Sequence, residues 1–170
     1  AAGFTMTAVD LTNPRSPKVL YVGTNVVYHG LRLSNDGRTM YVANIGQPSL
    51  GGITGAGLRI LDVSEIQDRK PNPQVKILST IHWADASIPQ AAEPFTSDGH
   101  HYLFETDEFI DLFSFQGLLN LPESPVGGAR IINVDDPRHP RVISNIKLAV
   151  HEPENRSGPQ AGDPMAWFPA

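Results

Sequence analysis

Apolar and polar residues along this chain follow a short, repeating rhythm. Three stretches, Met6 to Leu20, Leu58 to Leu78 and Ala129 to Ile143, share one pattern. Each is a β-branched run that ends at Asp or Asn, passes through a Pro-rich polar turn, and resumes as a second β run. Asn and Asp start such turns by bonding their own backbone, and Pro presets φ. The pattern predicts strands over 4–9 and 18–22, 58–63 and 74–81, and on both sides of the turn in the third stretch. A second pattern falls between the repeats. Val27 to Leu33 and Thr39 to Asn44 flank Ser34-Asn-Asp-Gly37, and Glu93 to Phe104 contains Thr96-Ser-Asp-Gly99. Asp-Gly supplies the positive φ values that a tight hairpin turn needs. Aligning the two Asp-Gly turns places Tyr41 against Leu103 and Val42 against Phe104. The strand Thr39 to Asn44 is apolar on both of its alternating faces, which predicts that both are covered.

Other stretches interrupt the rhythm. Ile45 to Gly57 reads as a Gly-rich connection, and His82 to Pro89 as an irregular segment. From Thr106 to Gly127 the strand pattern is lost. Within it, Phe109, Leu112, Phe113, Phe115, Leu118 and Leu119 follow helical spacing, interrupted by Gly117. That predicts a short helical or irregular insertion near 109–121. After Val150 the chain turns polar and rich in Pro and Gly, so 151–170 is expected to be a loop leading to a further unit or tail, with Trp167 and Phe168 pinning its end.

Asp10 and Asp62 lie 52 residues apart, and Asp62 and Asn133 lie 71 apart, the second interval lengthened by the two interruptions. Four short strands in each unit of about 40–50 residues is the signature of a β-propeller blade. The expected fold is therefore all-β, a partial propeller of four-stranded antiparallel blades. Residues 1–150 would supply the second half of one blade and two full blades. Closed propellers need about 4–8 blades. An open arc leaves sheet edges and apolar faces bare, so the remaining blades are expected as partners, from the same or a companion chain.

Composition narrows the function classes. The chain has 170 residues and a net charge of -5, with no basic stripe, which argues against a nucleic-acid partner. Gly and Pro number 15 each, suiting a chain dense in turns. There is no Cys, so disulfides and thiolate metal sites are out. Ala1 to Thr7 runs straight into a strand pattern, as a mature, processed or truncated N-terminus would. No apolar run reaches membrane-spanning length.

The repeats resemble the LVIVD repeat, a β-propeller motif of bacterial surface and secreted proteins. The residues that carry the resemblance are Gly57 to Ser64 and Gly128 to Asp135, each followed by a Pro-rich turn. The segment His29 to Asn44 is similar to the YVTN-type propeller hairpin. The resemblance implies a propeller on the cell surface or outside the cell, and it is silent on activity. The third repeat departs from it by placing Asn133 where the others have Asp.

Candidate chemistry follows from where the blades join. His29 lies 12 residues after Pro17 and His151 lies 11 after Pro140, each where the chain enters the innermost strand of a blade; Glu93 opens the equivalent strand of the middle blade. Such positions ring a propeller's channel. There His29, Glu93 and His151 would either cap strands and hold water or converge on a divalent metal. Glu105, Asp107, Glu108 and Asp111 place four carboxylates within seven positions, either a solvated acidic loop or a calcium-binding one, although the spacing is not that of an EF-hand. The pair His100-His101 is expected on a hairpin tip with its rings on opposite sides. Trp83 is expected to anchor its loop by packing. Phe109, Leu112 and Phe113 are the candidate partner-binding surface, or else a lid across the fold. No nucleophile elbow or phosphate loop occurs. The glycines of 51–57 precede a strand rather than a helix, which excludes a dinucleotide fingerprint. The expected function is a non-catalytic scaffold or recognition module that needs no cofactor. The competing class is a metal-dependent propeller enzyme.

Overall fold

A computed structural model describes residues 4–26, 28–49, 52–83, 88–108, 128–149 and 152–155. It is mostly β, built from antiparallel sheets of two to four strands. The first sheet is a hairpin of β1 (Phe4–Asp10) and β2 (Lys18–Val26). The second contains β3 (Tyr28–Leu33), β4 (Thr39–Asn44), β7 (Gly57–Asp62) and β8 (Lys76–His82) in that spatial order. The third runs β9 (Ile88–Ser97), β10 (His100–Glu108), β11 (Ala129–Asn133) and β12 (Arg141–Ile146). Both four-stranded sheets are meanders in which each strand pairs with the next of its set. A small hairpin of β5 (Gln47–Ser49) and β6 (Gly52–Thr54) projects between β4 and β7. The Gly-rich stretch read as a plain connection therefore contains paired strands.

The central strands of the second sheet, β4 and β7, are covered on both faces. On one, Tyr41, Leu58 and Ile60 pack against Ala92, Leu103, Ile132 and Val134 of the third sheet and the residue after it. On the other, Met40, Val42, Leu61 and Val63 meet Met6 of β1. This is why β4 is buried from Met40 through Asn44 and reads apolar at successive positions. Each fully buried Leu or Ile in these layers contributes about 1.5–3 kcal/mol. The first strands of the two larger sheets, β3 and β9, run beside one another. A Cβ on Gly30 would stand 2.2 Å from the Gln90 carbonyl oxygen, so only glycine permits this approach.

The two Asp-Gly turns differ in length. Asp98 and Gly99 both take positive φ, 50° and 80°, and close a two-residue turn. In the other hairpin only Gly37 does so, at 68°, and the loop runs from Ser34 through Arg38 before Thr39 pairs again. The difference moves the alignment. Asp62 pairs with Thr39, and Asn133, its repeat equivalent, pairs with Tyr102. Met40 thus corresponds to Leu103, Tyr41 to Phe104, Val42 to Glu105 and Asn44 to Asp107, one residue away from the correspondence that the turns alone suggest.

Two expectations about the interruptions are corrected. β9 begins at Ile88, inside the segment read as irregular. β10 continues through Glu108, so Glu105 and Asp107 stand on a strand and not in an acidic loop. The polar turn of the second repeat contains a one-turn helix, α1 (Ser64–Gln67), which no sequence signal announced. The insertion 109–121 and the tail 156–170 lie outside the described residues.

Candidate functional site

Strand alternation turns Glu105 and Asp107 to the same side of β10, and cross-strand pairing sets Arg130 of β11 opposite Glu105. Arg130 Nη1 donates to Glu105 Oε2 and to Asp107 Oδ2, each at 3.0 Å. All three side chains are buried, Glu105 completely. The guanidinium also lies over the Trp83 ring, its carbon 4.4 Å from the centroid, so the aromatic face adds a third partner to the cation. The indole that was expected to anchor a loop packs here, just beyond β8.

Among the described residues, two carboxylates face one guanidinium in this buried layer. Burial is the main reason the Glu105 carboxyl is pushed far above its ordinary value, and the Asp107 charge beside it adds to the shift. At neutral pH Glu105 therefore keeps its proton. Two of the four side chains proposed for calcium, Glu105 and Asp107, are thus turned inward onto an arginine. The side chain of Glu108, and Asp111 entirely, lie outside the described residues.

Repeat symmetry places Arg59 where Arg130 stands, facing the first sheet. Its cross-strand neighbour is Val42, and Asn44 lies two residues on. Arg59 Nη1 is 3.4 Å from Tyr28 Oη, and its guanidinium carbon is 5.8 Å from the Tyr28 centroid. Asn44 Nδ2 donates instead to the Gly55 carbonyl at 2.7 Å. The same strand position thus carries a charge cluster in one sheet and a cation on an aromatic ring in the other.

At the junction of β3 and β9, Glu93 is held by Arg32. Arg32 Nε donates to Glu93 Oε2 at 2.7 Å, and a second nitrogen, Nη2, reaches Oε1. Both carboxylate oxygens therefore face one guanidinium, and a divalent metal would have to displace it. His29 is exposed on β3, and His151 lies outside the described residues. Among the described residues, no group of three or more His, Asp or Glu is arranged to hold a metal ion. Phe109, Leu112 and Phe113 also lie outside them.

Three further histidines, His100, His101 and His139, serve turns, while His82 ends β8. His100 and His101 lie at the start of β10. The His100 ring is 2.7 Å from Asp135 Oδ2, while the His101 backbone N–H donates to Asp135 Oδ1 at 2.7 Å. His139 contacts Asp136 at 2.8 Å. Sequence reasoning missed the Arg130 cluster. Two signals could have found it: an Arg at the same place in two repeats, and a Glu-x-Asp pair, whose spacing puts both carboxylates on one strand face.

No protein-family model, no curated protein and no solved structure matches this chain.

Proposed function

We propose that this chain is an arc of a β-propeller, a non-catalytic scaffold or recognition module whose ring is completed by further blades from the same or a companion chain. The reading belongs with the LVIVD-type repeats, and with the cell-surface or extracellular setting that they imply. The observation that carries it is the stacking of the sheets. The two four-stranded meanders set their first strands side by side, the central strands of the second sheet are covered on both faces, and apolar residues lie bare at both ends of the stack. At one end Phe95 and Phe104 are exposed on the side of the third sheet opposite Leu103. At the other, Val19 and Val22 of β2 are exposed. Leu31 and Leu33 of β3 are also exposed, lining a 510 Å³ hollow beside β1, where the first sheet lacks the inner strands that its neighbours have. Bare sheet faces and strand edges of this kind call for a partner.

The Arg32–Glu93 clamp supports the non-catalytic reading, because it occupies the carboxylate that a channel metal would use. Light scattering and a dye for exposed apolar surface test the arc directly. The 170-residue chain should self-associate, or remain a monomer that binds the dye strongly. A monodisperse monomer of 18.5 kDa that binds no dye would overturn the arc. Stoichiometric transition metal in the purified protein would overturn the non-catalytic reading.

A further inference from the structure

A cleft of 360 Å³ opens between the second and third sheets, at the end where the Ser34–Arg38 loop faces β9 and β10. Its floor holds Tyr41, whose ring belongs to the buried core and which is only 7% exposed. The Tyr41 hydroxyl makes no hydrogen bond to any described residue. The ring is buried, but the hydroxyl oxygen is not sealed in and reaches the cleft, where a ligand could supply its partner. The nearby charge acting on it is that of Asp36. Burial, with that carboxylate, holds the phenol above its ordinary value, so it stays protonated and can donate.

The wall groups are mixed in kind and nearly neutral together. Asp36 Oδ1 accepts from Ser34 Oγ at 2.6 Å and from the Arg38 N–H at 3.0 Å, and its second oxygen has no partner among the described residues. Asn35 adds an amide. Thr96 and His101 face each other across the β9–β10 pair, Oγ1 to Nδ1 at 3.4 Å. Phe95 and Tyr102, whose rings stack with centroids 5.4 Å apart, and Pro94 and Val134 supply apolar surface between these polar groups, and neither Lys nor Arg lines the cleft. Without a fixed cation the cleft does not suit an anion. Its single carboxylate already accepts two hydrogen bonds, and its aromatic residues, Tyr41, Phe95 and Tyr102, offer faces to a sugar's C–H groups as well as to an alkylammonium, so the cation is the charged alternative to be tested. Donors and acceptors alternating with apolar patches match a molecule whose hydroxyls and C–H faces alternate.

We propose that this cleft binds a neutral polyhydroxyl ligand of about monosaccharide size, such as one sugar residue of a glycan, with the Tyr41 hydroxyl and Asp36 as its main hydrogen-bonding contacts. The site is built from two sheets within the described chain, so it does not depend on ring closure.

Saturation-transfer NMR on the 170-residue chain tests this with the methyl glycosides of glucose, galactose, mannose and N-acetylglucosamine, and with n-butylammonium as the charged alternative. At least one glycoside should receive saturation. Tyr41→Phe should weaken its binding about 3- to 10-fold, the range for losing one neutral hydrogen bond, and should leave the melting temperature unchanged because the hydroxyl makes no hydrogen bond to any described residue. Silence from all four glycosides would overturn the proposal. So would equal binding by the Phe variant, transfer to n-butylammonium alone, or a fall in melting temperature in the variant, which would mean that the hydroxyl has a structural partner.

Discussion

The second and third sheets share strand order, register and the Arg of the repeat, yet they treat that Arg differently. Arg130 is fully buried between two carboxylates and an indole, while Arg59 is half-buried beside a tyrosine. The backbone does not explain this, since both arginines stand at equivalent places on β7 and β11. The difference lies on the strand opposite, where Val42 and Asn44 replace Glu105 and Asp107. A repeat thus fixes where a side chain points, and the neighbouring strand decides whether it becomes part of a charge network. Ion clusters buried in this way are costly to break and gain little stability over an apolar layer, so the third sheet carries a constraint that the second does not.

The sharpest way to break this comparison is to remove each cation. Arg130→Met leaves two buried acids without their guanidinium and should cost about 3–5 kcal/mol, the usual penalty for orphaning a buried charge. For a chain of this size that is a fall in melting temperature on the order of 10 °C. Arg59→Met strands no carboxylate and should cost less than about 1 kcal/mol. Equal losses in the two variants, measured by urea denaturation, would show that the arginines do the same job and that the opposing acids are incidental.

A smaller effect separates the sheets by pH. Glu105 is pushed up to about 9 in the folded chain, against 4.5 for an ordinary glutamate. The unfolded chain therefore gives up this proton at a lower pH than the folded chain does. The contribution of Glu105 is fully present below about pH 4.5 and is lost as pH rises toward about 9. Glu105→Gln mimics the protonated acid. It should leave stability near neutral pH almost unchanged or raise it, and it should flatten the decline between pH 5 and pH 9. Val42→Ala in the second sheet should leave that slope intact. Urea midpoints across the interval decide the point, and a variant with the wild-type slope would place the raised acid elsewhere.

Much of the sheet layout was legible in sequence because strand alternation and turn chemistry are local. Thr39–Asn44 is a strand with the expected bounds, and both arms of the third repeat lie where its β-branched runs lie. The one-residue slip between the two hairpins was not legible, because Asp36 and Asp98 look alike until φ distinguishes them. The fate of the acidic run was hidden for a related reason. Four carboxylates in seven residues suggest a solvated loop, and only a pairing across β10 and β11 reveals that Glu105 and Asp107 have a buried arginine opposite. Glu93 shows the same limit: it was expected to open its strand but stands in the middle of β9, and its partner Arg32 comes from another sheet.

The mildest test concerns the turns, where the two repeats exchange an acid for an amide. In the second sheet Asp62 accepts the Ser64 N–H at 2.9 Å. In the third, Asn133 takes that place and the carboxylate moves to Asp135, which accepts the His101 N–H, the Asn133 amide and the His100 ring. Backbone donation from His101 is the main cause holding Asp135 well below the usual carboxylate range, and the side-chain contact with Ser64 does the same, less strongly, for Asp62. For a lowered acid the contribution is present above about pH 4 and is lost as pH falls through the folded value. Asp135→Asn should therefore reduce the acid-side loss of stability more than Asp62→Asn does. Both effects should be smaller than that of Arg130→Met, because Asp135 is exposed and screened by solvent. Melting curves at pH 5 and pH 3 measure it. A larger change from Asp62→Asn would mean that the second turn is the better anchored of the two, reversing the order that the contacts give.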